Sequence, residues 1–189
     1  MKPLAFLLAT LLPLHAGTGD KIVAAARQQI GVTLTYDPAY TSLAYPNGDV
    51  PQDRGVCSDV LIRALRVGLS ADLQKLVHED MLAHFPVYPK QWGLSRTDSN
   101  IDHRRVPNLR TYFKRRGCEL PVPKAGEVSA FRTGDIVTCT VPPNLPHVMI
   151  ISDRKTADGR PLVIHNIGGG TREEDQLLNF PLTGHYRWK

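Results

Sequence analysis

Apolar residues in the first part of the chain recur at helical spacing, whereas later segments have the pattern of strands. The helical pattern predicts helices over residues 20–31, 57–68, 71–85 and 107–116. Asp20 can cap the first of these helices and Gly31 can end it. Pro86 and Pro89 stop the third helix, because proline cannot continue a helix.

The chain after Glu127 changes to β-branched and apolar runs. These runs predict strands over residues 136–141, 146–153, 161–168 and 180–188. The second and third of these strands flank a polar turn, which predicts a hairpin. The glycines at residues 168–170 predict a flexible loop.

The predicted hairpin brings two histidines together. If its turn is centred near Thr156, residues whose numbers add up to about 312 face one another, which places His147 opposite His165. A slip of one residue would turn one histidine to the other face. Both faces of the hairpin are apolar, so we expect it to be buried on both sides. The histidine face carries Met149, Ile151 and Val163, and the other face carries Val148, Ile150, Leu162 and Ile164.

A cysteine stands at the predicted start of the second helix. Cys57 begins a pattern in which Leu61, Ala64, Leu65 and Gly68 share its face. At a helix N-terminus, unpaired backbone N–H groups and the macrodipole stabilise an anion, so this thiol is predicted to ionise more easily than that of a free cysteine. The alternative is that Cys57 is one more small buried residue.

Cys57 and the two histidines are the groups that thiol catalysis needs: a nucleophile, a base and a group that orients the base. In this hypothesis Cys57 is the nucleophile, His147 is the general base and His165 is the orienter. The backbone N–H of Cys57 would donate to a developing oxyanion. Ordinary packing of the histidines is one alternative. A zinc site with an open fourth position is another, although no closely spaced ligand motif such as HExxH or CxxC supports it.

Two further segments could border such a site. Residues 32–51 form a loop rich in tyrosine, proline, asparagine and glycine, which predicts either a cleft lining or tyrosines that pack the loop onto the core. The second segment is polar and contains Asp102, His103, Arg104 and Arg105. Its arginines could hold a substrate carboxylate, or the cluster could be an internal salt-bridge network.

Length and composition predict one folded domain. The chain has 189 residues, of which 42% are hydrophobic, enough to bury one full core. The formal net charge of +5 is compatible with an anionic partner such as the cell wall or a membrane surface. The basic residues are scattered and no binding motif accompanies them, which argues against nucleic acid. We expect a monomer.

The N-terminus has the pattern of a secretory signal peptide, with a positive charge before an apolar run too short to span a bilayer. We therefore expect a signal peptide over residues 1–16, a single domain over residues 17–189, and a periplasmic or secreted protein without a stable membrane anchor. An oxidising compartment allows one disulfide among the three cysteines. Cys118 would pair with Cys139 and leave Cys57 free, or all three would be unpaired.

Longer stretches of the chain resemble known families. The motifs GVCSDVLIRALR, GDIV, PHVMIISD and LVIHNIGGG are similar to those of papain-like cysteine peptidases of the NlpC type, in which a cysteine opens a helix and histidines follow on adjacent strands. The run YDPAYTSLAYPNGDVPQDRGVCSDV, followed by WGL, NIDHRRVPNL and PHVMIISD, resembles more closely a bacterial exported family called domain of unknown function 1287.

These resemblances imply an α+β fold in which the cysteine helix packs on an antiparallel sheet. They also imply hydrolysis of an amide bond in peptidoglycan stem peptides or muropeptides, with no cofactor or metal, and give Cys57, His147 and His165 the catalytic places. The typical NlpC-type enzyme has an aspartate directly before its cysteine. Here Val56 stands there, and Asp59 lies two residues after the cysteine.

The candidate substrate-binding residues are Tyr36, Asp59, Asp102, His103 and Arg104. Tyr36 would be the cleft tyrosine that such enzymes have upstream of the cysteine. The alternative function is a non-catalytic wall-binding module that kept the fold.

Overall fold

The computed structural model describes residues 16–124 and 126–189. The predicted signal peptide, residues 1–16, lies outside these ranges except for Ala16. Within the described ranges, no helix is both long enough and apolar enough to cross a membrane.

Helices occupy the first part of the chain, as the apolar periodicity predicts. They are α1 (Thr18–Arg27), α2 (Cys57–Leu69), α3 (Leu73–Ala83) and α4 (Val106–Arg115). Short 3₁₀ turns lie at Phe85–Val87, Asp102–Arg104 and Val128–Ala130.

The first helix differs from the prediction at both ends. Gly17 is its N-cap, and Asp20 lies inside the first turn, where its carboxylate accepts the backbone N–H of Gly17 at 2.9 Å. The helix ends at Arg27, because the backbone hydrogen bonds after it join residues three apart instead of four. For example, the Ile30 N–H donates to the Arg27 carbonyl at 3.1 Å. Ile30 is consequently 39% exposed and lies outside the core.

Strands make up most of the second part of the chain. They are β1 (Thr35–Tyr36), β2 (Arg54–Gly55), β3 (Glu119–Leu120), β4 (Ile136–Val141), β5 (Leu145–Lys155), β6 (Pro161–Asn166), β7 (Thr171–Glu174) and β8 (Leu182–Tyr186). The order β3-β8-β4-β5-β6-β7 forms a six-stranded antiparallel sheet, and β1 pairs with β2 in parallel. The sequence pattern predicts β4 with these bounds, but it does not predict β1, β2, β3 or β7.

The sheet is buried on both faces. Helix α2 packs against β5 and β6, and every residue from position 57 to position 65 is buried. Val148, Ile150 and Ile164 cluster with the helices on one face, while Met149 and Ile151 belong to a second cluster on the other. The predicted assignment of these side chains to two faces is confirmed. This is the α+β fold that the resemblance implies, with the cysteine helix on an antiparallel sheet.

The predicted register of the hairpin is wrong by two residues. Ile150 faces Ile164, so paired residue numbers add up to 314, and His147 and His165 are diagonal neighbours instead of opposite each other. The turn is centred near Asp158 instead of Thr156, since Lys155 pairs with Pro161, and a bulge in β5 between Ile151 and Lys155 reverses only part of this displacement. Because the net shift changes the sum by two, both histidines stay on the same face.

The predicted glycine loop over residues 168–170 lies between β6 and β7. Gly170 has a φ of 82°, and a Cβ there would lie 2.6 Å from the Thr33 carbonyl oxygen. Only glycine fits both conditions. The loop lets β7 return beside β6, where His165 pairs with Arg172.

All three cysteines are free, so the predicted disulfide between Cys118 and Cys139 is not present and the unpaired alternative holds. Cys118 belongs to the cluster on the helical face of the sheet, and Cys139 belongs to the cluster on the opposite face. In addition, β8 lies between β3 and β4 in the sheet. The sheet itself therefore separates the two thiols.

Candidate active site

Cys57 is the first residue of α2, as predicted, and it is 4% exposed. The residue before it, Val56, is the extended N-cap, and its backbone N–H donates to the Asp59 carboxylate at 2.7 Å. A side-chain acceptor in the first turn satisfies an N–H group that the helix leaves unpaired. Asp59 thereby fixes the start of the helix and the position of the cysteine.

Asp59 also forms a buried ion pair with Arg104. The Arg104 Nε and Nη2 atoms both donate to the carboxylate at 2.9 Å, and both side chains are less than 5% exposed. The Ser58 hydroxyl donates to the Arg104 carbonyl at 2.7 Å. These contacts match the internal salt-bridge alternative, and they lock the Asp102–Arg104 turn onto the first turn of α2.

Asp102 and His103 lie deeper in the same turn. The Asp102 carboxylate accepts the backbone N–H of Asp98 at 2.7 Å and lies 3.1 Å from the His78 Nδ1 atom. His103 is 1% exposed, and burial lowers its pKa to about 4. The contacts of Asp102 are internal to the protein, and neither residue is part of the cavity wall beside Cys57.

Tyr36 lies beside Cys57, in agreement with its place among the candidates. It sits on β1, where it pairs with Gly55 of β2, two residues before the cysteine. Tyr36 and Cys57 line the same cavity, and burial together with the neighbouring Cys57 and Asp59 raises the Tyr36 pKa to about 12. Tyr36 is therefore a neutral phenol beside the thiol.

A cavity of about 190 Å³ opens in front of the cysteine. Its mostly apolar wall includes Tyr36, Cys57, Trp92, Arg104, Arg105 and Pro146. Val148 of β5 belongs to the same buried cluster as Cys57. His147 directly precedes Val148 on β5, on the face of the strand that Met149 shares.

The two histidines form a hydrogen-bonded chain that ends on a carboxylate. The His147 Nε2 atom lies 2.8 Å from the His165 Nδ1 atom, and the His165 Nε2 atom lies 3.0 Å from the Glu174 Oε1 atom. Both histidines are at most 2% exposed, and the Glu174 side chain is 30% exposed on β7. A buried pair of imidazoles is thus connected to a charged group at the edge of the sheet.

This chain has a defined direction. An ionised carboxylate only accepts hydrogen bonds, so His165 donates its Nε2–H to Glu174 and keeps a lone pair on Nδ1. That lone pair accepts the Nε2–H of His147. The Nδ1 atom of His147 is then left with its own lone pair, which is the state that a general base requires.

Burial makes both members of the proposed catalytic pair neutral. It raises the pKa of Cys57 to about 11 and lowers that of His147 to about 3. The prediction of an easily ionised thiol is wrong for this resting state. The N–H groups of Ser58 and Val148 do stabilise the thiolate, but desolvation outweighs them, and the Asp59 carboxylate adds repulsion.

The sequence matches the family model described as "Domain of unknown function (DUF1287)" over residues 23–188. The chain belongs to the DUF1287 family. It is 55% identical over 179 residues to the "uncharacterized protein YijF" of Escherichia coli strain K12, which covers 95% of this chain and 86% of that protein.

The solved structures similar to this DUF1287 protein include two crystal structures of an N-acetylmuramoyl-L-alanine amidase from Bacteroides uniformis ATCC 8492. Their TM-scores are 0.56 and 0.55, and each match covers 91% of this chain and 99% of that one. The sequence identity of 12% means that the likeness is one of fold.

Two residues at this DUF1287 site, Glu174 and Trp92, were not among the candidates from the sequence, and Arg105 was considered only as a member of the polar cluster. Glu174 lies in the segment TREE, which is too short and too polar to have the alternation of a strand. The only feature of the sequence that points to this strand is the run of glycines before it. Trp92 comes from an irregular segment, and Arg105 is one member of a polar cluster whose cavity-facing side the sequence does not specify.

Proposed function

We propose that this protein is an exported cysteine hydrolase that cleaves an amide bond in peptidoglycan stem peptides or muropeptides. The observation that carries the proposal is the placement of Cys57 at the start of α2 in the cavity wall, in one buried cluster with Val148. Val148 directly follows His147, whose imidazole begins the hydrogen-bonded chain through His165 to Glu174. The amidase-like fold supports a peptidoglycan-related substrate. The signal-peptide pattern of residues 1–16 supports a site of action in the periplasm or outside the cell.

In the first step, the Cys57 sulfur attacks the carbonyl carbon of the scissile amide while the His147 Nδ1 atom accepts the thiol proton. Since both groups start neutral, proton transfer accompanies attack instead of preceding it. The resulting imidazolium is stabilised through His165, whose own Nε2–H is held by Glu174. Glu174 is thus a positioning residue that acts through His165.

The negative charge that develops on the substrate oxygen needs a donor. The backbone N–H of Cys57, at the start of α2, is available for this role and benefits from the positive end of the helix dipole. His147 then returns its proton to the leaving amine as the C–N bond breaks, which leaves a thioester on Cys57. Water hydrolyses the thioester to release the acid and restore the thiol, or an amine takes its place in acyl transfer.

A non-catalytic wall-binding module is the second candidate, and the deep burial of a neutral thiol favours it. A zinc site has less support. Among residues 16–124 and 126–189, no three His, Cys, Asp or Glu side chains are arranged to hold a metal ion. The facing nitrogens of His147 and His165 are also engaged with each other.

The deciding experiment is to incubate the purified protein with peptidoglycan and with free muropeptides and to analyse the products by mass spectrometry. We expect fragments from the unsubstituted protein and none from Cys57→Ala. Cys118→Ala is the matched control, because it also removes a buried free thiol but leaves the cavity unchanged. If no form releases fragments, the hydrolase proposal fails and the binding module takes its place.

A further inference from the structure

Two consecutive arginines at the cavity have opposite environments. Arg104 donates to the Asp59 carboxylate and to the carbonyl oxygens of Ala39 and Asp37, so its guanidinium is neutralised and well satisfied. The Arg105 side chain makes no hydrogen bond to any residue in the described ranges, and its Nη1 atom is buried without a partner there. A buried donor without an acceptor costs free energy.

The two carboxylates whose charges act on Arg105 are already hydrogen-bonded elsewhere. Asp102 holds His78 and the backbone N–H of Asp98. Asp98 accepts hydrogen bonds from Tyr40 at 3.0 Å and from the Asn100 side chain. Both act on Arg105 through space only. The charge of Arg105 is therefore uncompensated by direct contact.

Arg105 is nevertheless held in place. Its guanidinium carbon lies 4.4 Å from the centre of the Trp92 ring, a cation–π arrangement that leaves the N–H groups in the guanidinium plane free to donate. Both residues line the cavity that contains Cys57. An arginine that is stacked, short of acceptors and part of a mostly apolar wall is prepared for an external anion.

We propose that Arg105, stacked on Trp92, forms a subsite that binds the free α-carboxylate of a γ-linked glutamyl residue in a stem peptide. This inference rests on the proposed function. The planar guanidinium matches a carboxylate in bidentate geometry. The small cavity requires the carboxylate to lie close to the scissile bond. A glutamyl residue joined through its side chain carries a free α-carboxylate next to the amide bonds on either side of it.

Two ligands that differ only at this group test the subsite. N-acetylmuramyl-L-alanyl-γ-D-glutamyl-L-lysine has the free α-carboxylate on a γ-linked residue, and N-acetylmuramyl-L-alanyl-D-isoglutaminyl-L-lysine has a neutral amide in its place. Binding of each is measured by calorimetry to the Cys57→Ala protein, so that cleavage does not interfere. We expect the acid to bind about 10- to 100-fold more tightly than the amide, as for loss of a charge-assisted hydrogen bond.

Arg105→Gln, in the same background, should remove this preference by weakening binding of the acid alone. Arg105→Lys should retain part of this preference, because lysine keeps the positive charge but lacks the planar guanidinium that binds a carboxylate through two hydrogen bonds and stacks on Trp92. Arg96→Gln is the matched control, since it removes an exposed positive charge from the neighbouring segment. Circular dichroism checks that each variant is folded.

Equal affinities for the two ligands, a preference that survives Arg105→Gln, or measurable binding of neither ligand would overturn the subsite. The catalytic proposal fails in a different way. Cleavage of both ligands at equal rates by the unsubstituted protein would leave the hydrolase and remove the subsite. An Arg105-dependent preference for the acid, with no cleavage by any form, would leave the subsite and remove the hydrolase.

Discussion

Glu174 offers the sharpest test of the proposed mechanism, because it lies outside the cavity and acts only through His165. Glu174→Gln keeps a side-chain oxygen that can accept the His165 Nε2–H, but it removes the charge. Glu174→Ala removes both. The hydrogen bond is 3.0 Å long and the side chain is 30% exposed, so the interaction is charge-assisted and partly screened by solvent.

A hydrogen bond to an ionised group contributes about 1.5–3 kcal/mol, and partial exposure favours the lower end. A loss of about 1.5 kcal/mol from the transition state lowers kcat/KM about tenfold, which is the expected effect of Glu174→Gln. Glu174→Ala should cost about another tenfold, because His165 can then exchange tautomers and His147 can carry its proton on Nδ1, facing the thiol. Asp175→Asn, which removes a carboxylate that is 40% exposed from the next residue, should leave kcat/KM unchanged.

Two measurements separate positioning from general damage to the fold. Removing the carboxylate destabilises the imidazolium of His147, so the acidic limb of the kcat/KM profile should move to lower pH in Glu174→Gln. Heteronuclear NMR of the imidazole nitrogens should find the proton on Nε2 of both His147 and His165. A proton on the Nδ1 atom of His147 in the unsubstituted protein, or full activity in Glu174→Ala, would refute the directional chain.

Two further predictions follow from burial. Because the Cys57 pKa is raised to about 11, the rate of Cys57 alkylation should rise about tenfold per pH unit between about pH 6 and pH 9. The rate is measured by mass spectrometry of the alkylated peptide. A plateau near neutrality would instead indicate a preformed ion pair. His103 and His147 have folded-state pKa values of about 4 and about 3, below the ordinary 6.5, so the unfolded chain binds more protons and stability falls as pH drops below about 6.5. Each should contribute about 1.4 kcal/mol per pH unit down to its folded pKa, as measured by urea unfolding. A stability that does not change over this range would contradict neutral burial.

Local sequence signals predicted those parts of the site that depend on one element at a time. The period of the apolar residues after Cys57 identified the helix and its first residue. The two apolar faces of the hairpin fixed which residues lie with His147 and His165. The register itself depends on the exact turn and on a bulge in β5, neither of which a local pattern predicts. The two histidines stayed on one face because the net shift is an even number of residues.

Other parts of the site depend on distant segments meeting, and the sequence alone could not give them. Glu174 reaches His165 only because the glycine loop folds β7 back along β6. The ionisation of Cys57 was predicted with the wrong sign, because the helix start is a local property whereas burial comes from the whole fold. The partner of Arg104 is Asp59, 45 residues earlier in the chain, and the sequence could not distinguish this pairing from a free guanidinium.

The departure at Val56 now has a physical meaning for recognition. A carboxylate directly before the cysteine would give the cavity a negative group and favour a cationic part of a ligand. Here that position is apolar, and the nearby Asp59 carboxylate already binds the backbone N–H of Val56 and the guanidinium of Arg104. Arg105 lines the cavity with a buried Nη1 atom that has no partner in the described ranges, which supports the proposed preference for an anionic group next to the scissile bond.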